Sequence, residues 1–379
     1  MTVLRQSATC LAHPSLLTTP THGQNGAGFG WLAAPARSAF TVREFSLPEL
    51  SALESVIALG GSHLDVSLLR MVSGPGASRY PIYAIALGNP GPDTPAVGFF
   101  GGVHGLERIG SQVVISYLQS LVMRLRWDTS LHRQLESVRL VFMPIVNPAG
   151  MAWGTRANPR GVDLMRNAPV DATEKVPFLA GGQRLGPGLP WYRGKADEPL
   201  EQESQALCEV VTNELLSRKF SIALDCHSGL GFRDRIWFPY AHTKTPILHL
   251  AEMHALKTIY LQAYNHHQYV FEPQSVQYLA HGDLWDYLYL QACQNKQNIF
   301  LPLTLEMGSW SWIKKNPRQV FSRHGMFNPL IVHREHRVLR RHIGLLDFLG
   351  RAACGHALWT PAPAARAQHH ADALAQWYG

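Results

Sequence analysis

An α/β sandwich around a largely parallel or mixed sheet is the fold this sequence predicts, from three observations. Short apolar runs recur along the chain, segments with apolar residues at helical spacing lie between them, and histidines or carboxylates stand directly after several runs. Strands alternating with helices build layered α/β architectures. In such sheets the functional side chains gather just past the carboxyl ends of the strands.

Taken in order, residues 82–87, 96–100, 138–146, 221–225 and 299–305 are near-continuous apolar runs, too short for helices. That pattern predicts strands covered on both faces. Residues 109–125 carry apolar positions at helical spacing, 200–216 opens with acids in its first turn, and 246–264 is similar. These predict helices, the acids suiting the positive end of a helix dipole. Residues 328–348 predict an amphipathic helix with a basic face that covers the sheet. Three regions follow: an N-terminal extension 1–40 rich in Thr, Gly, Pro, Ala and Ser, a main domain 41–355, and a tail 356–379 expected to fray from Pro361.

Composition narrows the function classes. With 46% hydrophobic and 16% charged residues, the chain has enough apolar material for a sizeable core. Much of the formal charge of +7 sits at His333-Arg334-Glu335-His336-Arg337 and Arg340-Arg341-His342. Acids are interleaved there and no aromatic base-stacking pattern accompanies them. A solvated helix face is the first expectation and an anionic partner the second, while nucleic-acid binding is not expected. Five scattered cysteines without a C-x-x-C pair predict no disulfide framework and suit a reducing compartment. Residues 1–17 lack the shape of a secretory signal, and no apolar run approaches a membrane span, so the expected location is cytoplasmic and no membrane partner is expected.

The chemistry is carried by four segments. Gly101-Gly102-Val103-His104-Gly105-Leu106-Glu107 follows the run 96–100. A His and a Glu three apart can converge on one cation if the turn is tight, and Gly101, Gly102 and Gly105 offer the backbone freedom for it. Read alone, the pair could be a loop histidine and a helix-start carboxylate. The run 221–225 leads into Asp225-Cys226-His227-Ser228-Gly229, which adds a histidine. Two His with one Glu is a common catalytic zinc set. Asp225 is a candidate support for His227, with the alternative that its side chain points elsewhere. Cys226 is a competing candidate ligand, but strand neighbours face opposite ways, so it is expected to pack against the sheet.

Thr304-Leu305-Glu306-Met307-Gly308 ends a third run with a carboxylate that could take a proton from an attacking water. Between these lies Gly154-Thr155-Arg156-Ala157-Asn158-Pro159-Arg160-Gly161-Val162-Asp163-Leu164-Met165-Arg166-Asn167. Guanidinium groups in such a loop suit a carboxylate or a polarised carbonyl. An Asp163-to-arginine lock of the loop is the structural alternative and can coexist with that role.

From about residue 82 to 310 the ordered set of these motifs resembles the zinc metallocarboxypeptidase family, in particular smaller bacterial members such as murein peptide amidases. The pieces are H-x-x-E, N-P-x-G, G-T-R-A-N-x-x-G-V-D-L-x-R-N, D-x-H-S-G and T-L-E. The resemblance implies a three-layer α/β/α sandwich around a mixed, largely parallel sheet, with one Zn2+ per chain on His104, Glu107 and His227. It also implies Glu306 as general base, Arg156 beside the scissile carbonyl, and Arg166 as the clamp on a terminal carboxylate. Tyr278, in Tyr278-Leu279-Ala280-His281-Gly282, corresponds to the family's mobile tyrosine. Trp191-Tyr192 and residues 199–203 resemble a loop and acidic helix start of the bacterial members.

Three positions depart from the pattern. Met165 stands where the family has an asparagine that helps hold the carboxylate, and a thioether cannot donate that bond; Arg160 or Asn167 could substitute. Trp285 occupies a position that tunes the side-chain pocket and predicts a shallow one. Asp283 could receive a cationic group of the substrate. The expected function is hydrolysis of an amide bond near the carboxylate end of a peptide. An N-acyl amino acid deacylase and a non-catalytic binding protein on the same fold are the alternatives.

Overall fold

The computed structural model describes residues 47–379 apart from Leu230, His267, Gln268 and Lys296, so the expected extension 1–40 lies outside the described residues. Eight strands form one sheet: β1 (Asp65–Ser73), β2 (Arg79–Gly88), β3 (Ala96–Gly101), β4 (Arg139–Met143), β5 (Phe220–Gly229), β6 (Arg235–Phe238), β7 (Val270–Pro273) and β8 (Ile299–Gly308). Their spatial order is β1-β2-β4-β3-β5-β8-β6-β7. The central strands β4, β3, β5 and β8 are mutually parallel, whereas β1, β2 and β6 join by antiparallel pairing. Helices cover both faces, giving the three-layer α/β/α sandwich.

Each predicted apolar run is a strand of this sheet, and the four central ones are buried along almost their whole length. The expected strand 138–146 stops at Met143, because the chain turns at Pro144 toward Asn147, whose side chain caps the short helix Pro148–Trp153. The expected helices form as Arg108–Arg124, Gln202–Val211, Leu250–Ala263 and Val332–Cys354, with the last turn of the second widened at Thr212–Leu216.

The two faces are covered by different helices. Cys226 points toward Gly110 of Arg108–Arg124, which also packs against Val332–Cys354. Asp225, one residue earlier, points the other way, to Trp285 in the helix Leu284–Ala292. Neighbouring residues of a strand face opposite sides, so these helices belong to opposite layers. The metal-ligand motifs emerge between the layers, at the carboxyl ends of β3, β5 and β8.

One expectation fails. The chain beyond Pro361 does not fray but forms the helix Pro363–Trp377, with Pro363 in its first turn. Trp377 anchors it: the indole is buried against Phe238 and Phe271, and its N–H donates to the Phe271 carbonyl at 2.7 Å. An Ala-rich composition read as low complexity here serves as helix propensity on a docked segment.

Candidate active site

Each donor of the proposed metal set is delivered by a different backbone device. His104 follows β3 through Gly102, whose φ of +66° is a left-handed conformation that suits glycine. Gly105 has another reason: a Cβ there would lie 2.2 Å from the Gly150 and Met151 backbone, so the close approach of Pro148–Trp153 excludes a side chain. Glu107 is the residue before Arg108–Arg124, and His227 lies on β5. Nδ1 of His104 is 3.1 Å from Nδ1 of His227, and Glu107 lies 3.0 Å from each ring. All three side chains are buried.

The outer nitrogen of each ring is fixed. Nε2 of His104 meets Asp163 at 3.0 Å, and Nε2 of His227 meets Asp225 at 2.8 Å. When each Nε2–H donates to its carboxylate, the two Nδ1 lone pairs and the Glu107 carboxylate all face one point. Nothing but a cation or a proton satisfies that arrangement. Electrostatics agree. Burial opposes protonation of His227, yet Asp225 and Glu107 outweigh it and hold the imidazole pKa well above its ordinary value. Burial likewise opposes ionisation of Glu107, but the two histidines hold its carboxyl far below the usual range. Two imidazoles and a carboxylate, each backed by a further carboxylate or backbone N–H, are a donor set that fits zinc.

Glu306 pairs in register with His227 across β5 and β8, so the two side chains share a face. Burial pushes its carboxyl up to about 7; His227 opposes this and Glu107 adds to it. Gly229 leaves it room, since a Cβ there would lie 2.7 Å from Glu306 Oε2. Arg156 closes the group: its Nε donates to Asp163 at 2.8 Å and Nη1 to Glu107 at 3.1 Å. Asp163 is thus both the arginine lock and the support of His104, a second role that the sequence reading did not include.

The remaining expected residues divide. Arg166 and Tyr278 meet, Nη2 donating to the phenolic oxygen at 3.2 Å, and Arg166 Nη1 donates to the Met165 carbonyl. Nε of Arg166 is buried and has no hydrogen-bond partner among the described residues. Asp283 caps Leu284–Ala292 through Oδ1, while Oδ2 faces Arg166 Nη1 at 3.9 Å, so this carboxylate is turned to a protein cation. Burial and Asp286 push its pKa up to about 7. Trp285 sits under the metal centre: its ring packs on Phe100 and its N–H donates to Asp225 at 3.0 Å.

Two expected stand-ins for the missing asparagine are occupied elsewhere. Asn167 donates to the Arg193 carbonyl and accepts from the Glu201 N–H, so both ends of its amide serve the loop. Arg160 is largely exposed and paired with Glu198 at 2.5 Å. A residue that the sequence reading missed is Arg193, buried and bonded to the carbonyls of Arg166, Ala168 and Val170 and to Asp171. It anchors the segment that carries Arg166, and only its place beside Trp191-Tyr192 hinted at it.

Comparison with known proteins agrees with this geometry. The family described as zinc carboxypeptidase matches residues 67–312. No curated protein matches the chain. Among solved structures, thrombin activatable fibrinolysis inhibitor aligns with TM-score 0.57 and 15% identity, over 80% of this chain and 72% of that one. The bovine inhibitor, solved with tick carboxypeptidase inhibitor, gives 0.50 and 16% over 77% and 95%. A metallo-carboxypeptidase from Burkholderia cenocepacia gives 0.47 and 15% over 85% and 68%. At these identities the likeness to the two inhibitor structures is one of fold.

Proposed function

The chain belongs to the zinc carboxypeptidase family, and from that premise we propose that it hydrolyses an amide bond near the free carboxylate end of a peptide or peptide-like substrate. It is a zinc-dependent hydrolase. The observation that carries the reading is the convergence of His104, Glu107 and His227 beside Glu306 on the adjacent strand. His104, Glu107 and His227 would hold the zinc, which would supply Lewis acidity toward a water and a carbonyl.

This chain's own residues do the rest. Glu306, with a carboxyl titrating near neutrality, takes the proton from the attacking water and returns it to the leaving amine. Arg156, fixed by Asp163 and Glu107, offers its guanidinium to the developing oxyanion. Arg166 binds the terminal carboxylate, and its unpartnered Nε together with the Tyr278 contact supports that role. With Met165 contributing only its carbonyl, the clamp lacks the family's amide donor and rests on the guanidinium itself.

The finer reading is a bacterial murein-peptide hydrolase in the cytoplasm, supported by the 199–203 acidic helix start and by four unpaired cysteines among the described residues. Among those residues no helix is long and apolar enough to cross a membrane. A mass-spectrometric screen of the zinc-loaded protein tests the proposal. Free-carboxylate peptides, their amidated forms, murein peptides and N-acyl amino acids are compared, with Glu306→Gln as control. Cleavage confined to free carboxylates and lost in the control supports it; cleavage of acyl amino acids alone makes the protein a deacylase instead.

A further inference from the structure

A basic cleft opens beside the carboxyl end of β8, on the opposite side of the sheet from Arg166. It is a cavity of ≈ 410 Å³ lined by Arg233, Lys315, His333, Arg334, Arg337 and Arg341, with Phe232 and Trp312 in its wall. Three elements that are distant in sequence supply these cations: the loop before β6, the helix Trp310–Lys315 and the helix Val332–Cys354. Arg334 ties the last two together by donating to the Trp312 and Lys315 carbonyls.

Most of this charge is uncompensated. Asp234 is the single carboxylate in the lining, and it is engaged by Arg341 at 2.9 Å and by the Gly308 N–H at 3.0 Å. Among the described residues Arg233, Lys315 and Arg337 form no ion pair. Exposed cations gathered around one concavity repel one another and draw anions into it. A second hollow on the same helix shares Arg337 and Arg341 and adds Arg340, which extends the basic surface.

Position relates the cleft to the reaction. Gly308, which Asp234 holds, lies two residues past Glu306, and Trp310 donates to the Gly231 carbonyl, so the cleft wall is built on the strand that carries the base. Arg166 and Tyr278 gather on the face of Leu284–Ala292, whereas the cleft lies against Val332–Cys354 in the opposite layer. The metal ligands and Glu306 at the strand ends therefore stand between the Arg166 side of the sheet and the cleft side.

We propose that this cleft binds a carboxylate-rich segment of the substrate, on the amino-terminal side of the scissile bond. This rests on the hydrolase reading above, so the test keeps the two apart. Two peptides share one carboxyl-terminal pair of residues and differ upstream, one carrying glutamates and the other glutamines. The acidic peptide should be cleaved with kcat/KM on the order of tenfold higher at low salt, the advantage shrinking as salt is raised. Arg337→Glu combined with Lys315→Glu, both exposed positions, should abolish the advantage and leave the glutamine peptide unaffected. Equal rates on the two peptides, or a preference that survives the double variant, overturns the inference while leaving the hydrolase reading intact. If neither peptide is cleaved the hydrolase reading fails, and fluorescence anisotropy then decides: binding of the labelled acidic peptide that is lost in the variant upholds the cleft. No binding, or displacement by inorganic tripolyphosphate but not by excess unlabelled acidic peptide, overturns it.

Discussion

Trp285→Phe isolates the support beneath the metal centre. The indole N–H donates to Asp225 Oδ2, the same oxygen that receives Nε2 of His227. Asp225 is fully buried, and its other oxygen has no hydrogen-bond partner among the described residues. Removing a hydrogen bond to a buried charged group costs about 1.5–3 kcal/mol. The phenyl ring keeps the contact with Phe100 but leaves part of the indole volume empty, which adds about 1 kcal/mol. The metal-free variant should therefore be destabilised by ~2.5–4 kcal/mol, read by urea denaturation followed by circular dichroism. With Asp225 less constrained, His227 is less well aimed, and zinc affinity should fall roughly tenfold, the lower end for partners behind a ligand. Competition with a chromophoric chelator measures it. A variant that melts with the parent and holds zinc as tightly would show that the Trp285–Asp225–His227 chain contributes nothing, and the reasoning would be refuted.

Glu306→Gln should keep zinc binding and lower kcat by about 10²–10⁴-fold; retained turnover removes Glu306 as base. In the parent, Glu306 acts only when ionised, so kcat/KM should rise with pH along an acid limb set at or below about 7, because a bound cation favours the ionised form. The raised pKa of Asp283 has the opposite consequence for stability. Its carboxyl titrates near 7 when folded, so the folded state holds a proton that the unfolded chain loses near pH 4, and stability falls as pH climbs through that window. Asp283→Asn, which keeps an oxygen for the helix cap, should flatten that decline in urea titrations between pH 4 and 8; an unchanged slope places the titration elsewhere. Trp377→Ala removes the anchor of Pro363–Trp377 and should destabilise by about 3–5 kcal/mol, with faster proteolysis near the carboxyl terminus. Unchanged melting and proteolysis would mean that the helix does not depend on this ring.

Much of the site was legible because catalysis demands particular residue types in particular places. Apolar runs ending in His227 and Glu306, and a glycine-bracketed His104–Glu107, announce strands that hand polar groups to one edge of a sheet. The period-two rule settled that Cys226 turns away from His227. The strands that went unforeseen, β1, β6 and β7, lie at or near the sheet edges. β1 is largely exposed, and β6 and β7 are short, so none carries the continuous apolar signature of a buried strand.

Tertiary structure alone decided how side chains of ambiguous chemistry are used. Trp285, expected to line a pocket, became a donor to Asp225, and Asp283, expected to meet a substrate cation, turned toward Arg166. Asn167 is spent on loop backbone, and Arg193 gained its role from carbonyls brought to it by folding. The basic helix read as a solvated face lines a cleft only because Arg233 and Lys315 arrive from other elements. Sequence determines which groups can donate, accept or carry charge and on which face of a strand they stand. Which group meets which is a matter of distance, and distances between remote segments exist only after the chain has packed.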